Sequence, residues 1–389
     1  MITLIDSFRH GEEHAPFNAA FIEVISECFK TEEIKIFSQK DHLSAIENIQ
    51  KQNKANESNR SYCEVKGIDS KTGTSSLFLS YFIATIQDLK LLLKSRSKSF
   101  FFTTVNPLSL PFVKLLTILS KKKVCVVIHG ELEYLNRENE RSLKLQTRLL
   151  RKWYRFFFWK FLSKNFYYIL LGTSIKANLE SLAPAHFAKA NFLTIDHPYF
   201  YNNRENTLSF SNPVRLGTVG HAAVVKGSHK IFELAKLKEK EILANSFELK
   251  IIGHVSPGMR EFQNNLVETP ENKEFLSRNE YEQKIMALHY IIFFYPSSMY
   301  EYIASGAFFD AIKFEKPIIA LRNSFFESYF EKYGNLGFLA KNLTEISDYL
   351  QKVDSTIYNE QLSNLKKAKQ DLSIKKISER FKTQLENSF

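Results

Sequence analysis

Cysteine and long apolar runs are both scarce in this chain, and each scarcity excludes something. The three cysteines, Cys28, Cys63 and Cys125, have neither the density of a disulfide framework nor the close spacing of a zinc site. A reducing, cytoplasmic compartment is therefore expected. Cys125 sits inside an apolar run, residues 124–128, where a small buried thiol is the expected role. No stretch reaches the roughly 18 uninterrupted apolar residues that a membrane-spanning helix needs. The first residues, 1–6, read as a strand and not as a charged leader with a long apolar core. Asp-x-Asp is absent and the histidines show no metal-ligand spacing, so no metal is expected.

What is present is ordinary folded-protein material at considerable length. A chain of 389 residues, 44% hydrophobic and 24% charged, exceeds what one core usually supports, so two domains are expected. The net charge of +11 is unevenly placed. Between Arg141 and Lys164 stand eight basic residues (Arg141, Lys144, Arg148, Arg151, Lys152, Arg155, Lys160 and Lys164) and no acidic one.

The dominant rhythm is a short apolar strand followed by an amphipathic helix. Strands are predicted over 2–6, 34–38, 62–65, 99–105, 124–129, 167–171 and 191–195, with helices such as 16–29, 76–94 and 108–119 between them. Residues 197–213, with Asn202, Asn203 and prolines near both ends, break the rhythm and read as a linker. Alternation restarts with strands over 214–219, 249–252, 291–295 and 317–321 and helices over 228–242, 280–288 and 306–314. Residues 355–389 are helical and basic throughout. The fold class is α/β: two Rossmann-like, doubly wound domains facing across a cleft, 1–200 and 214–372, joined by a linker over 201–213. Ligands in such sheets bind beyond the carboxyl ends of the strands.

In the second half, Gly217 to Gly227 ends a strand and opens a helix. Gly220 permits a tight turn, and Lys226 beside a helix start suits a diphosphate. The alternative is an ordinary turn with a solvated lysine. Further on, Tyr295, Pro296, Ser297 and Ser298 close a very apolar strand. Glu301, the run Ser305-Gly306-Ala307, Asp310 and the run 316–320 follow. A small turn opening a helix exposes backbone N–H groups that can hold an anion. Asp310 could accept hydrogen bonds from sugar hydroxyls, or serve only as favourable charge near a helix start.

This string resembles the donor-site signature of family 4 GT-B glycosyltransferases: Pro-Ser, a glutamate, a small-residue turn, then Glu-Ala, and Lys/Gly-x-Pro-Val-Ile-Ala. The run from Gly220 to Gly227 resembles the same family's phosphate motif. Residues 249–254, with Gly253 and His254, resemble its third element. The string Phe275-Leu276-Ser277-Arg278-Asn279-Glu280 stands where the family contacts the nucleotide base. The four elements keep the family's order over about 214–323. Three features depart from it: His221 replaces an arginine, Asp310 replaces a glutamate, and the interval from Glu301 to Asp310 is one residue longer.

The resemblance implies roles. Lys226 would neutralise donor phosphates with help from His221. Ser305, Gly306 and Ala307 would offer N–H groups, Asp310 would hold the ribose, and Glu301 the transferred sugar. It also implies a metal-independent, retaining transfer without a cofactor from a nucleotide-sugar, UDP-sugar by family precedent. The acceptor would be a glycan or lipid-linked, as in surface-polysaccharide synthesis, and residues 373–389 would cross back onto the first domain.

In the first half, the first predicted strand runs into a polar cluster. Gly11 could let the backbone approach a phosphate, while Arg9, His10, Glu12, Glu13 and His14 could position an acceptor. A solvated loop is the plain alternative. His129 ends a buried strand at the place where a histidine of the resembling family touches the donor sugar, or is structural; Glu131 follows it. Asp196 and His197 end the last strand, where capping is the simpler role.

Within the basic segment, Arg141, Lys144, Arg148, Arg151 and Arg155 recur at three- and four-residue steps, with Leu143, Trp153, Phe157 and Phe161 on the remainder. A helix with cationic and aromatic faces suits an anionic membrane surface, or packs its apolar side inward and leaves its cations solvated. No nucleic-acid-binding motif accompanies the charge. Two further readings share the architecture: a nucleotide-sugar 2-epimerase, and an inactive sugar- or partner-binding module.

Overall fold

The computed structural model describes residues 1–55, 58–66, 73–136, 144–201, 205–270, 276–297 and 299–388. Arg141, Leu143, Asn202, Asn203, Phe275, Ser298 and Phe389 lie outside the described residues. The chain forms two compact units. The first comprises Met1–Phe200, Tyr302–Ala304 and Leu372–Phe389, and the second comprises Tyr201–Glu301 and Ser305–Asp371.

The first unit runs β1 (Ile2–Asp6), α1 (Ala15–Cys28), β2 (Ile34–Ser38), α2 (Lys40–Gln52), β3 (Arg60–Glu64), α3 (Gly73–Lys94), β4 (Ser99–Phe102), α4 (Ser109–Ser120), β5 (Lys123–Ile128), α5 (Leu145–Phe158), β6 (Phe166–Leu170), α6 (Thr173–Leu182), α7 (Pro184–Phe187) and β7 (Asn191–Thr194). The second unit follows with β8 (Val214–Val219), α8 (Lys230–Leu237), α9 (Glu239–Leu243), β9 (Phe247–Ile252), β10 (Val267–Glu268), α10 (Arg278–Met286), β11 (Tyr290–Phe293), α11 (Gly306–Lys313), β12 (Ile318–Leu321), α12 (Ser324–Tyr333), β13 (Gly337–Ala340), α13 (Leu343–Leu350) and α14 (Ser355–Asp371). The last helix, α15 (Ile374–Ser388), returns to the first unit.

Among the described residues the sheets hold seven strands, ordered β3-β2-β1-β4-β5-β6-β7, and six, ordered β10-β9-β8-β11-β12-β13. Every pairing is parallel. Strands covered by helices on both faces must be apolar on both, which explains the unbroken runs of β4 and β5. Phe100, Phe101, Phe102 and Val124 to Ile128 are all buried. The edge strands β3 and β7 are only partly buried and carry polar residues accordingly.

Helix α15 covers the exposed edge at β7. The Gln384 amide accepts from Thr194 N–H at 2.9 Å and donates to Thr194 C=O at 2.7 Å, occupying groups an edge strand otherwise leaves open. Arg380 pairs with Asp196 at 3.0 Å, and Phe381 stands 6.5 Å from Phe21 of α1. Asp196 is thus an anchor for this helix.

Several elements differ from their sequence reading, helices α12 and α13 among them. Strands β10 and β13 were not read. The first has two residues, and the second opens with Gly337, whose Cβ would come within 1.9 Å of the Ile318 carbonyl, so glycine is needed to pair there. The helix predicted over 228–242 is divided at Lys238, which is buried and bonded to Glu241 at 3.2 Å. The helical tail is two helices that belong to different units.

Candidate functional site

Each sheet reverses its strand order once, between β1 and β4 and between β8 and β11. A crevice opens where neighbouring connections leave on opposite faces, at the carboxyl ends of those strands. In both units the residues singled out from sequence stand at that place.

In the first unit, Asp6 ends β1 and is buried. It accepts from Thr103 Oγ1 at 2.7 Å across the switch point, from Asn18 Nδ2 at 2.8 Å, and from Arg9 N–H at 3.0 Å. The loop 7–14 is thereby tied to β4. Asn18 also donates to His42 Nε2 at 2.8 Å, and His42 Nδ1 donates to the Gly11 carbonyl at 2.7 Å. Gly11 N–H donates to Asp41 at 2.8 Å, so both backbone groups of Gly11 are engaged with α2. His10 lies against Gln39 at 3.1 Å and 3.9 Å from Asp41.

Arg9 pairs with Glu13 and faces Glu131 at 3.9 Å. Glu12 and Glu13 are exposed. Burial pushes the Glu131 carboxyl up, and Arg9 opposes it. His14 caps α1 in a left-handed conformation (φ 56°), its ring 4.6 Å from the ring of His129. Burial and then Arg9 lower its pKa to about 4. His129 is buried, and its pKa is held well below 6.5 by burial, His14 and Arg9. Its Nε2 faces the Thr103 carbonyl at 3.0 Å. A carbonyl only accepts, so the proton is on Nε2 and the lone pair on Nδ1. Phe17 separates this ring from His197, which burial lowers to about 3.

In the second unit, β8 ends at Gly220 (φ 86°), and Gly253 (φ 124°) beyond β9 presses against it. A Cβ on Gly253 would lie 2.1 Å from the Gly220 carbonyl. His221 accepts or donates at 2.7 Å to Ser256, and its ring is 5.2 Å from that of His254. Burial lowers the His221 pKa, with Lys226 and His254 adding to the effect. Three nitrogenous side chains therefore crowd one loop. Lys226 stands in a 3-10 turn, Val224–Lys226, and not at a helix start as the spacing suggested; α8 begins at Lys230.

Two close approaches bring the distant motifs together. Gly227 (φ 71°) lies so near the end of β11 that a Cβ would meet the Phe294 carbonyl at 2.3 Å. The adjacent Tyr295 reaches Ser305 Oγ at 3.4 Å. Ser305 caps α11, its hydroxyl accepting from Phe308 N–H at 3.4 Å. Gly306 and Ala307 stand in the first turn, where no helix carbonyl reaches their N–H groups, and space is open over Gly306. On the other side, the Tyr281 hydroxyl lies 4.0 Å from the Cβ position of Gly220 and donates to Asp310 at 3.1 Å.

Asp310 lies in the second turn of α11 and is buried. Arg278 donates to it at 3.1 Å and to Glu282 at 2.8 Å, while Lys313 donates to Glu282 at 2.8 Å. Leu276 precedes Ser277, whose capping box with Glu280 starts α10. Glu301 lies in the connection between β11 and α11.

The fold is the GT-B one. Over 99% of both chains the structure is similar to Anabaena Alr3699/HepE in complex with UDP, with a TM-score of 0.61 and 13% identity. It is similar to TarM over 100% of this chain and 98% of that one, with a TM-score of 0.62 and 13% identity. A protein assigned as a UDP-N-acetylglucosamine 2-epimerase of Listeria monocytogenes matches over 99% and 96%, with a TM-score of 0.54 and 12% identity. No protein-family model matches the chain, and no curated protein matches it in sequence.

Sequence reasoning placed Arg278 only within the string beside the base, without its tie to Asp310, and missed Tyr281. The signal available was the capping box: Ser277 with Glu280 fixes where α10 starts and so puts residues 278, 281 and 282 within one turn. Among the described residues, no group of His, Cys, Asp and Glu could hold a metal ion.

Proposed function

We propose that the chain is a glycosyltransferase that moves a sugar from a nucleotide-sugar to a glycan or lipid-linked acceptor at a cytoplasmic membrane face. The observation that carries this reading is the convergence at the β8/β11 switch point. The loop of His221 and Lys226, the open first turn at Gly306 and Ala307, and the buried Asp310 are tied together there by Gly227 and Tyr281.

In this reading the first turn of α11 and Lys226 stabilise the departing diphosphate, a task that positive groups perform without a metal. Asp310 accepts from the ribose, with Arg278 and Tyr281 holding its carboxylate in place. Leu276 flanks the base, and Gly253 with His254 shapes the floor of the phosphate loop. UDP is the proposed nucleotide, supported by the similarity to HepE, solved with UDP. Glu301 and His129 contact the transferred sugar, which keeps its anomeric configuration. Arg9, His10, Glu12, Glu13 and His14 orient the acceptor. The basic segment supports contact with an anionic surface.

A second reading, nucleotide-sugar epimerisation, is favoured by the similarity to the Listeria protein. A thermal-shift panel of UDP-, GDP- and dTDP-sugars tests the donor site. A donor at 100 times its Kd adds about 2.7 kcal/mol of stability. UDP-sugars are expected to give this shift and Lys226→Ala to abolish it. Release of nucleotide that requires an acceptor supports transfer; inversion at the sugar's C2 without acceptor supports epimerisation.

A further inference from the structure

Three neighbouring helices of the first unit have their polarity turned inside out. On α4 the single charged residue, Lys114, is wholly buried, while Leu119 is 77% exposed and Phe112 also faces out. Lys114 Nζ donates at 3.0 Å and 2.9 Å to the Phe157 and Phe158 carbonyls, ending α5. On α3 the polar Ser80, Thr85 and Asp88 are buried and Phe82 is 59% exposed. Thr85 meets Ser109 of α4 at 2.9 Å, and Asp88 takes the Ser7 hydroxyl at 2.6 Å. On α5 only Tyr154 and Phe158 are buried; Leu149 and Phe156 are 56% and 57% exposed.

These helices lie side by side, α3 against α4 and α4 against α5, and Trp153 of α5 donates to the Pro107 carbonyl just before α4 at 3.0 Å. The sequence pattern had set cations against aromatics on α5. The structure divides that helix differently. Its outward stripe is Leu145, Leu149, Trp153 and Phe156, bordered by the exposed Lys152, and the half-buried Arg148, Arg151 and Arg155 line that flank. A helix in water turns its polar face outward. Three adjacent helices doing the reverse imply that their outer surroundings are apolar.

We propose that this face of α3, α4 and α5 inserts into the interfacial layer of an anionic lipid bilayer. It takes the membrane contact of the proposed function from a basic stripe to a built apolar face, and uses none of the transfer chemistry. Apolar side chains flanked by arginines match hydrocarbon bordered by anionic headgroups. A second copy of the chain is the competing occupant, and the test separates it from a bilayer. Among the described residues no helix is long and apolar enough to cross a membrane, and the proposal places this face on the bilayer.

The test uses the full chain carrying Trp159→Phe, which leaves Trp153 as the sole tryptophan, since the sequence holds two. Expected is sedimentation with equimolar phosphatidylcholine–phosphatidylglycerol vesicles that survives high salt, with Trp153 fluorescence quenched by brominated acyl chains. Phe112→Glu and Phe156→Glu, and separately Leu149→Glu, should each weaken partitioning by about tenfold or more while the nucleotide-sugar thermal shift is kept. Three results overturn the proposal: no vesicle binding, binding released entirely by salt without quenching, or a vesicle-independent dimer that the same substitutions dissolve. Vesicle binding without any nucleotide-sugar shift would overturn the donor site and leave the membrane face standing.

Discussion

Arg278 and Asp310 meet at 3.1 Å although 32 residues separate them in the chain. The arginine is itself held by Glu282 at 2.8 Å, and Glu282 also takes Lys313 at 2.8 Å. Two carboxylates and two cations therefore alternate along the inner wall of the β11–α11 corner. Attraction to Lys313, together with Arg278, holds the Glu282 carboxyl below its usual range despite burial. The proposed ribose ligand is fixed before any nucleotide arrives, which lowers the ordering cost of binding.

Replacing Asp310 separates its two duties. Asp310→Ala removes the carboxylate that Tyr281 and Arg278 both donate to, so stability should fall by about 1–3 kcal/mol in denaturant unfolding. Titration calorimetry should show UDP binding weakened by about tenfold or more, the loss of a charge-assisted hydrogen bond. Tyr281→Phe keeps the carboxylate and should cost less on both measures. Wild-type affinity in the alanine variant would move the ribose site elsewhere.

Gly253 offers a purely geometric test. Its φ of 124° is one that L side chains rarely adopt, and its Cβ would lie 2.1 Å from the Gly220 carbonyl. Gly253→Ala must push β8 and β9 apart at the loop that starts with Gly220. A loss of about 2–5 kcal/mol is expected, combining backbone strain with overpacking. Gly306→Ala, at a position with nothing within 4 Å, is the control and should fold as the parent does.

The parallel framework was legible because strands covered on both faces are apolar throughout, as 100–102 and 124–128 are. Gly220, Gly227 and Gly253 were legible as turn glycines, and all three have positive φ. What sequence could not give is partnership across distance. Nothing in the local pattern joins Arg278 to Asp310, or Asn18 to both Asp6 and His42. The α5 pattern was legible only in part, for a related reason. Periodicity shows that faces differ, and only the neighbours decide which face is inward. Lys114 on α4 made that decision by ending α5 from below.

Acid should weaken the first unit through its buried imidazoles. His14 is lowered to about 4 and His197 to about 3, so both bind protons less readily folded than unfolded. Unfolding then takes up protons, and stability present above pH ~6.5 is lost as pH falls toward about 4 and below. His129 and, in the second unit, His289, lowered to about 4, act in the same direction. Asp88 opposes them: burial raises it to about 7, so its neutral form favours the fold as pH falls through that value. Tm should therefore fall from neutral toward pH ~5. Asp88→Asn should raise Tm near pH ~8 and change it little near pH ~4. A Tm that rises on acidification would reverse the assignment of neutral imidazoles.

His129 has two nitrogens with separable duties, and glutamine distinguishes them. The Nε2 proton satisfies the Thr103 carbonyl at 3.0 Å, which fixes the ring between His14 and Phe17. Nδ1 is left as an acceptor. A glutamine amide nitrogen reaches about where Nε2 stands and has no counterpart to Nδ1. His129→Gln should thus keep the Thr103 bond and stay within about 1 kcal/mol of the parent. His129→Ala opens a cavity, strands a buried carbonyl, and should cost about 2–4 kcal/mol. If Nδ1 serves the donor sugar, turnover in the glutamine variant falls about tenfold or more although folding does not. Full turnover with native Tm in that variant would leave His129 as a brace for β4 and nothing more.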